Sequence, residues 1–243
     1  MLIRIISVIV AAVLSCYILF ASIYFSEVKL EKKCEGVRIV VKDSLDKHFV
    51  TEQDLLAILR RASISPVGKP MSSINTDKIE NELLKNEMIR KVEVYKTPSG
   101  IIKLEVEQKM PILRIMGIGG NYYVDNEGST MPVSSHYVAH VPIVTGYVEK
   151  ELAKNDLYKF ALFLQEDKFW NNQVDQIVVL PDKEIELIPR VGNHRILLGT
   201  LDDFQGKLDN LRLFYRQAIP YAGWEKYSLI NLKYKNQVVC VKR

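Results

Sequence analysis

Lys91-Val92-Glu93-Val94-Tyr95-Lys96-Thr97-Pro98-Ser99-Gly100-Ile101-Ile102-Lys103-Leu104-Glu105-Val106-Glu107 decides how the first soluble part of the chain folds. Val92 and Val94 alternate with Lys91, Glu93 and Tyr95, and Ile102, Leu104 and Val106 alternate with Lys103, Glu105 and Glu107. Successive side chains of a strand point to opposite faces, so each run buries one apolar face and leaves a charged face in water. Between the runs, Thr97-Pro98-Ser99-Gly100 places Pro second and Gly fourth in a turn, and the pair is predicted to be a hairpin.

Upstream, Val37 to Val41 is a β-branched run broken only by Arg38 and reads as a strand. Thr51-Glu52-Gln53-Asp54 fits a capping box, which opens a helix with Leu55, Ile58, Leu59 and Ala62 on one face. Pro66, Gly68 and Pro70 end it. Asn75 or Thr76 then caps a second helix through Asn86, with Ile79, Leu83 and Leu84 inward. Strand, helix, helix, strand, strand from Cys34 to Ile115 predicts a small α+β domain with two helices on one face of a sheet.

Downstream, Tyr122 to Gly128 reads as a strand running into a turn, followed by Met131-Pro132-Val133 and Val141-Pro142-Ile143-Val144-Thr145-Gly146. A helix is expected from about Lys150 to Asp167, with Leu157, Phe160, Ala161 and Leu164 at helical spacing. Val174 to Leu180, Glu184 to Pro189 and His194 to Leu198 read as strands joined at Pro181-Asp182-Lys183 and Gly192-Asn193. A last helix from Asp202 to Gln217 and a closing strand from Ser228 to Val241 complete a β-rich domain over 120–243 with flanking helices. Gly117-Ile118-Gly119-Gly120 is read as a flexible hinge between the two domains.

From Ile5 to Phe25 there is no charge, Pro or Gly. At helical rise the run is about 31 Å long, enough to cross a bilayer's hydrocarbon core. It predicts a transmembrane helix over 5–25 behind a short cytoplasmic tail, residues 1–4. Flanking charge does not settle orientation, since Arg4 stands on one side and Lys29, Lys32 and Lys33 on the other.

The rest of the composition mainly excludes. The formal net charge is +4 with both signs interspersed, and no basic stripe marks a nucleic-acid binder. Three cysteines, Cys16, Cys34 and Cys240, build neither a disulfide scaffold nor a zinc site, and the last two could pair only if the fold brought them together. His136 and His140 are four apart, but Pro132 and Pro142 argue against a shared helical metal face. Gly117 to Gly120 precede a strand rather than a helix, so no phosphate cradle is expected. Asp202-Asp203 stand where a helix starts, which acids favour. No Ser lies in a nucleophile elbow. No catalytic residue, metal, cofactor or small-molecule substrate is expected.

The element order of residues 34–115 resembles the POTRA module, a polypeptide-docking domain. Phe49-Val50-Thr51, Ile89-Arg90-Lys91-Val92-Glu93-Val94 and Glu107-Gln108-Lys109-Met110-Pro111-Ile112-Leu113-Arg114 carry that likeness. The whole chain resembles the bacterial cell-division FtsQ (DivIB) family. Gly120-Asn121-Tyr122-Tyr123-Val124-Asp125-Asn126-Glu127-Gly128, Val141-Pro142-Ile143-Val144-Thr145-Gly146 and Ile230-Asn231-Leu232-Lys233-Tyr234 are the most specific stretches. The family usually has a longer cytoplasmic tail than Met1 to Arg4.

The resemblance implies a non-enzymatic divisome scaffold, anchored in the cytoplasmic membrane at the septum with its C-terminal part in the periplasm. It implies a POTRA domain that supports recruitment by other divisome components, and a β domain that captures FtsB/DivIC-like and FtsL-like single-pass proteins in the control of septal peptidoglycan synthesis. By matching position, the capture surface on the last strand is Lys233, Tyr234, Lys235, Asn236, Gln237 and Val238, with Tyr234 as anchor or, alternatively, packed beside Phe214. A POTRA-bearing docking component of a secretion or outer-membrane assembly pathway is the alternative, expected to show tandem POTRA repeats or a barrel pattern. A membrane-anchored wall hydrolase would need paired carboxylates or a zinc cluster.

Overall fold

A computed structural model describes residues 10, 12–23, 32–42 and 49–243. Residues 10 and 12–23 are helical, and no helix among the described residues is long and apolar enough to cross a membrane. The remainder of the expected span over 5–25, and the tail 1–4, lie outside the described residues. The chain divides into two compact units, the first ending at Gln108 and the second comprising Lys109–Arg243 together with the short Lys47–Phe49 stretch.

The first unit runs β1 (Gly36–Lys42), α1 (Glu52–Arg61), α2 (Thr76–Leu83), β2 (Ile89–Lys96) and β3 (Ile101–Gln108). The strand order is β1-β3-β2, with β1 parallel and β2 antiparallel to the central β3. The capping box forms: Thr51 Oγ1 accepts from Asp54 N–H, and Asp54 Oδ2 accepts from Thr51 N–H at 2.9 Å. Asn75 caps α2 through Lys78 N–H. Leu55, Leu59, Ile79 and Leu83 from the helices are buried with Val92, Val94, Ile102, Leu104 and Val106 from the sheet. Each such side chain contributes about 1.5–3 kcal/mol by leaving water.

The second unit is built on a nine-stranded sheet. Its elements are β4 (Pro111–Gly117), β5 (Gly120–Asp125), β6 (Thr130–Met131), β7 (Ile143–Gly146), α3 (Lys150–Lys154), α4 (Asp156–Glu166), α5 (Lys168–Gln173), β8 (Val174–Val179), β9 (Ile185–Pro189), β10 (Arg195–Gly199), α6 (Phe204–Gln217), α7 (Ile219–Ala222), β11 (Tyr227–Asn231) and β12 (Val239–Lys242). The order is β12-β11-β10-β9-β8-β7-β4-β5-β6. Phe160, Leu164, Trp170, Leu208 and Leu211 from the helices share one core with Ile115, Val144, Ile177, Leu187, Ile196 and Ile230 from the sheet.

Four expectations need correction. Pro111–Gly117, assigned up to Ile115 to the first domain, pairs with β5 and β7 in the second sheet. Gly117 to Gly120 is accordingly the β4–β5 hairpin turn and not an interdomain hinge. Its glycines answer to crowding, because a Cβ on Gly117 would lie 2.8 Å from Gly146 O and one on Gly119 2.6 Å from Val148 O. The single helix expected over 150–167 breaks at Asn155, whose ψ of −84° is not helical, and Asp167 starts α5 by accepting from Phe169 and Trp170 N–H. The last helix starts at Phe204, not Asp202, because Asp203 adopts a left-handed φ of +49° and its side chain makes no cap bond.

Gly146 closes the Val141-to-Gly146 stretch at φ +89°, and a Cβ there would lie 2.2 Å from Val179 O on the adjacent strand. Gly146→Ala is expected to destabilise the fold by on the order of 3 kcal/mol, from left-handed strain plus a backbone clash. Gly68→Ala, also at positive φ but with open space around it, should cost about 1 kcal/mol. Urea denaturation of the two variants measures the difference.

Candidate functional site

The outermost strand at one end of the large sheet is β12. It pairs antiparallel with β11, with Asn231 opposite Val239, Ile230 opposite Cys240 and Leu229 opposite Val241. Side-chain alternation turns Cys240 toward the core while Val239 and Val241 point to the other face, where they remain 41% and 50% exposed. No strand lies outside β12 among the described residues. Its outer N–H and C=O groups are therefore a template for another strand.

Leu232 to Val238, which joins β11 to β12, is a loop and not part of one long closing strand. This corrects the reading of Lys233, Tyr234, Lys235, Asn236, Gln237 and Val238 as strand residues. Asn231 Oδ1 accepts from Lys233 N–H at 2.9 Å, which ends β11. Gln237 N–H donates to Tyr234 O, and Asn236 takes the left-handed φ of +60° that this turn needs. Val238 packs against the core. Tyr234 is 55% exposed, and the ring neighbours of Phe214 are Tyr215 and Tyr227 instead.

The loop is held from below. Lys233 Nζ pairs with Glu184 at 2.5 Å, and this carboxylate raises the lysine's pKa. A Cβ on Gly199 would come within 2.9 Å of the Lys233 side chain, so the glycine makes room for that lysine. A groove runs between the loop and the first turns of α6, with Asp202, Asp203, Gly206 and Lys207 on one side and Lys233, Tyr234 and Lys235 on the other. Lys207 donates to Thr200 O at 2.7 Å, and burial lowers its pKa against the pull of Asp202 and Asp203.

The far end of the hairpin is fixed by Arg243. Its backbone N–H donates to Lys226 O, its guanidinium pairs with Glu225 at 2.6 Å, and it donates to Asn193 O at 2.7 Å. Beside it lies a buried aromatic cluster. His194 Nε2 is 2.7 Å from Tyr215 Oη, and the imidazole stacks on Trp224 at 6.0 Å between centroids. The cluster joins β10, α6 and the segment entering β11.

Among the described residues no group of three or more His, Cys, Asp or Glu is placed to hold a metal. All three cysteines are free thiols. The sequence reading missed Val239 and Val241 as the exposed edge by merging two strands into one. Asn231 and Asn236, both turn-prone, were the available signal for the break.

A family model described as FtsQ/DivIB, C-terminal related, matches residues 110–241, and one described as POTRA-like domain matches residues 32–107. The chain is also similar to Cell division protein FtsQ of Rhodothermus marinus, 28% identical over 196 residues that cover 74% of this chain and 70% of that protein.

His194 is 2% exposed, and desolvation pulls its pKa below 6.5, opposed by Glu225 and reinforced by Arg243. The unfolded chain then binds the proton more readily than the folded one, so stability is intact above pH 6.5 and falls as pH drops below it. Denaturation midpoints at pH 7.5 and 5.5 should fall further in the wild type than in His194→Phe.

Proposed function

We propose that this chain, which belongs to the FtsQ/DivIB C-terminal-related family of cell-division proteins, is a non-enzymatic scaffold of the bacterial divisome. The observation that carries the reading is the open edge of β12 with Val239 and Val241 exposed upon it. A partner segment in extended conformation adds to that edge, its backbone bonding to β12 while alternate side chains choose the register. The loop Lys233 to Val238 flanks the edge and offers Tyr234 as a rigid aromatic contact at low entropy cost.

The partners in this proposal are FtsB/DivIC-like and FtsL-like single-pass division proteins. The POTRA-like unit serves recruitment to the septum by other divisome components, and capture at β12 feeds into control of septal peptidoglycan synthesis. The uncharged run over 5–25 supports a single membrane span, and the likeness to the division family is the ground for placing the two units outside the cytoplasm.

Fluorescent fusions in dividing cells test the whole. The full chain should gather at mid-cell, and a form lacking Lys233 to Arg243 should still reach mid-cell but fail to bring the single-pass partners. An even membrane distribution that ignores division would favour a docking module of another envelope pathway. Tyr234→Glu and Val241→Glu should each cut partner co-purification by at least tenfold while circular dichroism stays unchanged. Normal co-purification with both would remove the β12 edge from the proposal.

A further inference from the structure

The small sheet of the first unit has two edges, and they are finished differently. On β2, Val94 N–H points out of the sheet and donates to Glu80 Oε1 of α2 at 2.8 Å, so a helix side chain occupies the place of a neighbouring strand's carbonyl. The β2 register also shifts between Ile89 and Lys91. Both features blunt an edge. Among the described residues β1 has neither, and its register against β3 runs unbroken from Gly36 to Lys42.

The hydrogen-bonding direction of β1 follows from its neighbour. Ile101 of β3 spends both backbone groups on Thr97, accepting from Thr97 N–H at 3.0 Å and donating to Thr97 Oγ1 at 3.1 Å. A central strand alternates sides, so Ile102, Leu104 and Val106 turn toward β1. They stand opposite Val37, Ile39 and Val41. In a parallel pair a residue bonds to the two flanks of its opposite number. Gly36, Arg38, Val40 and Lys42 therefore bond inward, leaving the N–H and C=O of Val37, Ile39 and Val41 on the outer edge.

Side chains give the edge a chemistry. Val37, Ile39 and Val41 lie on the helix side and are only half-buried. On the open face, Lys42 pairs with Glu105 at 2.9 Å, Lys91 with Glu93 at 2.6 Å, Lys103 with Glu105 and Arg90 with Glu107. Arg38 is exposed on the same face beside Val40, 38% exposed, and no carboxylate among the described residues pairs with it. Glu52, at the start of α1, lines the helix side of the groove along β1.

We infer that the outer edge of β1 is a second strand-docking site, separate from β12. Its occupant is an extended segment of another protein, apolar toward the helices and acidic on the open face opposite Arg38. The partner strand takes the outward N–H and C=O groups of Val37, Ile39 and Val41, covers their half-exposed side chains and supplies Arg38 with a carboxylate, which no described residue does. The inference rests on reading the first unit as a docking module, and it stands or falls independently of β12.

The test is a titration of the purified full chain in detergent with a fluorescent synthetic peptide of alternating valine and glutamate. A valine–lysine peptide of equal length is the control. The wild type should bind the acidic peptide, and Arg38→Glu should weaken it at least tenfold while gaining affinity for the basic one. Ile39→Pro, which removes an outward donor, should also abolish binding, and the charge swap keeps the test decisive if that variant unfolds. Absence of wild-type binding would overturn the proposal. Binding that ignores Arg38→Glu but rises in Glu80→Ala would overturn it in favour of β2. Val241→Glu, which disables the β12 edge, should leave peptide affinity unchanged; a matching loss there would place the peptide on β12 and overturn the proposal.

Discussion

One cross-strand row organises the second unit. Tyr122, Ile115, Val144, Ile177, Leu187, Ile196, Ile230 and Cys240 stand opposite one another in turn, one from each of eight adjacent strands. The row crosses parallel and antiparallel pairings alike, and every member except Cys240 is buried. Because side chains alternate with a period of two, a one-residue slip of any strand would turn its row member out of the core. The row thus fixes register throughout, and it fades only at its end. Cys240 is half-buried, and beyond it no further strand continues the row among the described residues. The open edge of β12 is where this ladder stops.

Among the described residues the two sheets present four edges, and these are handled in distinct ways. β6 is only two residues long, too short to template much pairing. β2 is closed by Glu80 and bent by a register shift. β1 and β12 are longer than β6 and carry β-branched residues, and among the described residues no side chain closes either of them, although the β11–β12 register also shifts, between Tyr227 and Leu229. Edges without protection invite pairing with other chains, and proteins commonly blunt them. The contrast between two blunted edges and two open ones is the common ground of both docking proposals.

What the sequence disclosed was local, and what it hid was not. Thr51 and Asp54 form their capping box from residues three apart, and Val92 to Val106 announce a hairpin through their own alternation. Gly117 to Gly120 carry no such self-contained signal. Their need for glycine comes from Gly146 and Val148, some thirty positions away, so flexibility was inferred where crowding was the cause. The break at Asn155 and the capping of α5 by Asp167 were likewise hidden inside a run with good helical spacing. The loop at Lys233 to Val238 was not legible as a loop, because Val238, Val239 and Val241 extend β-branched character up to the turn and blur its boundary.

A site made of backbone groups leaves little trace in a sequence. Every residue has an N–H and a C=O, so a strand-accepting edge has no counterpart of a catalytic triad or a metal-ligand spacing. Its specificity must come from how firmly the edge is held and from the side chains beside it. Here the hairpin that ends in β12 is pinned at both ends, by Lys233 on Glu184 at the loop and by Arg243 on Glu225 and Asn193 at the terminus. Ordering the receptor beforehand lowers the entropy lost on binding, so that more of the strand-pairing energy appears as affinity. In the proposed reading, a partner strand on this pinned edge would set alternating apolar side chains against the exposed Val239 and Val241.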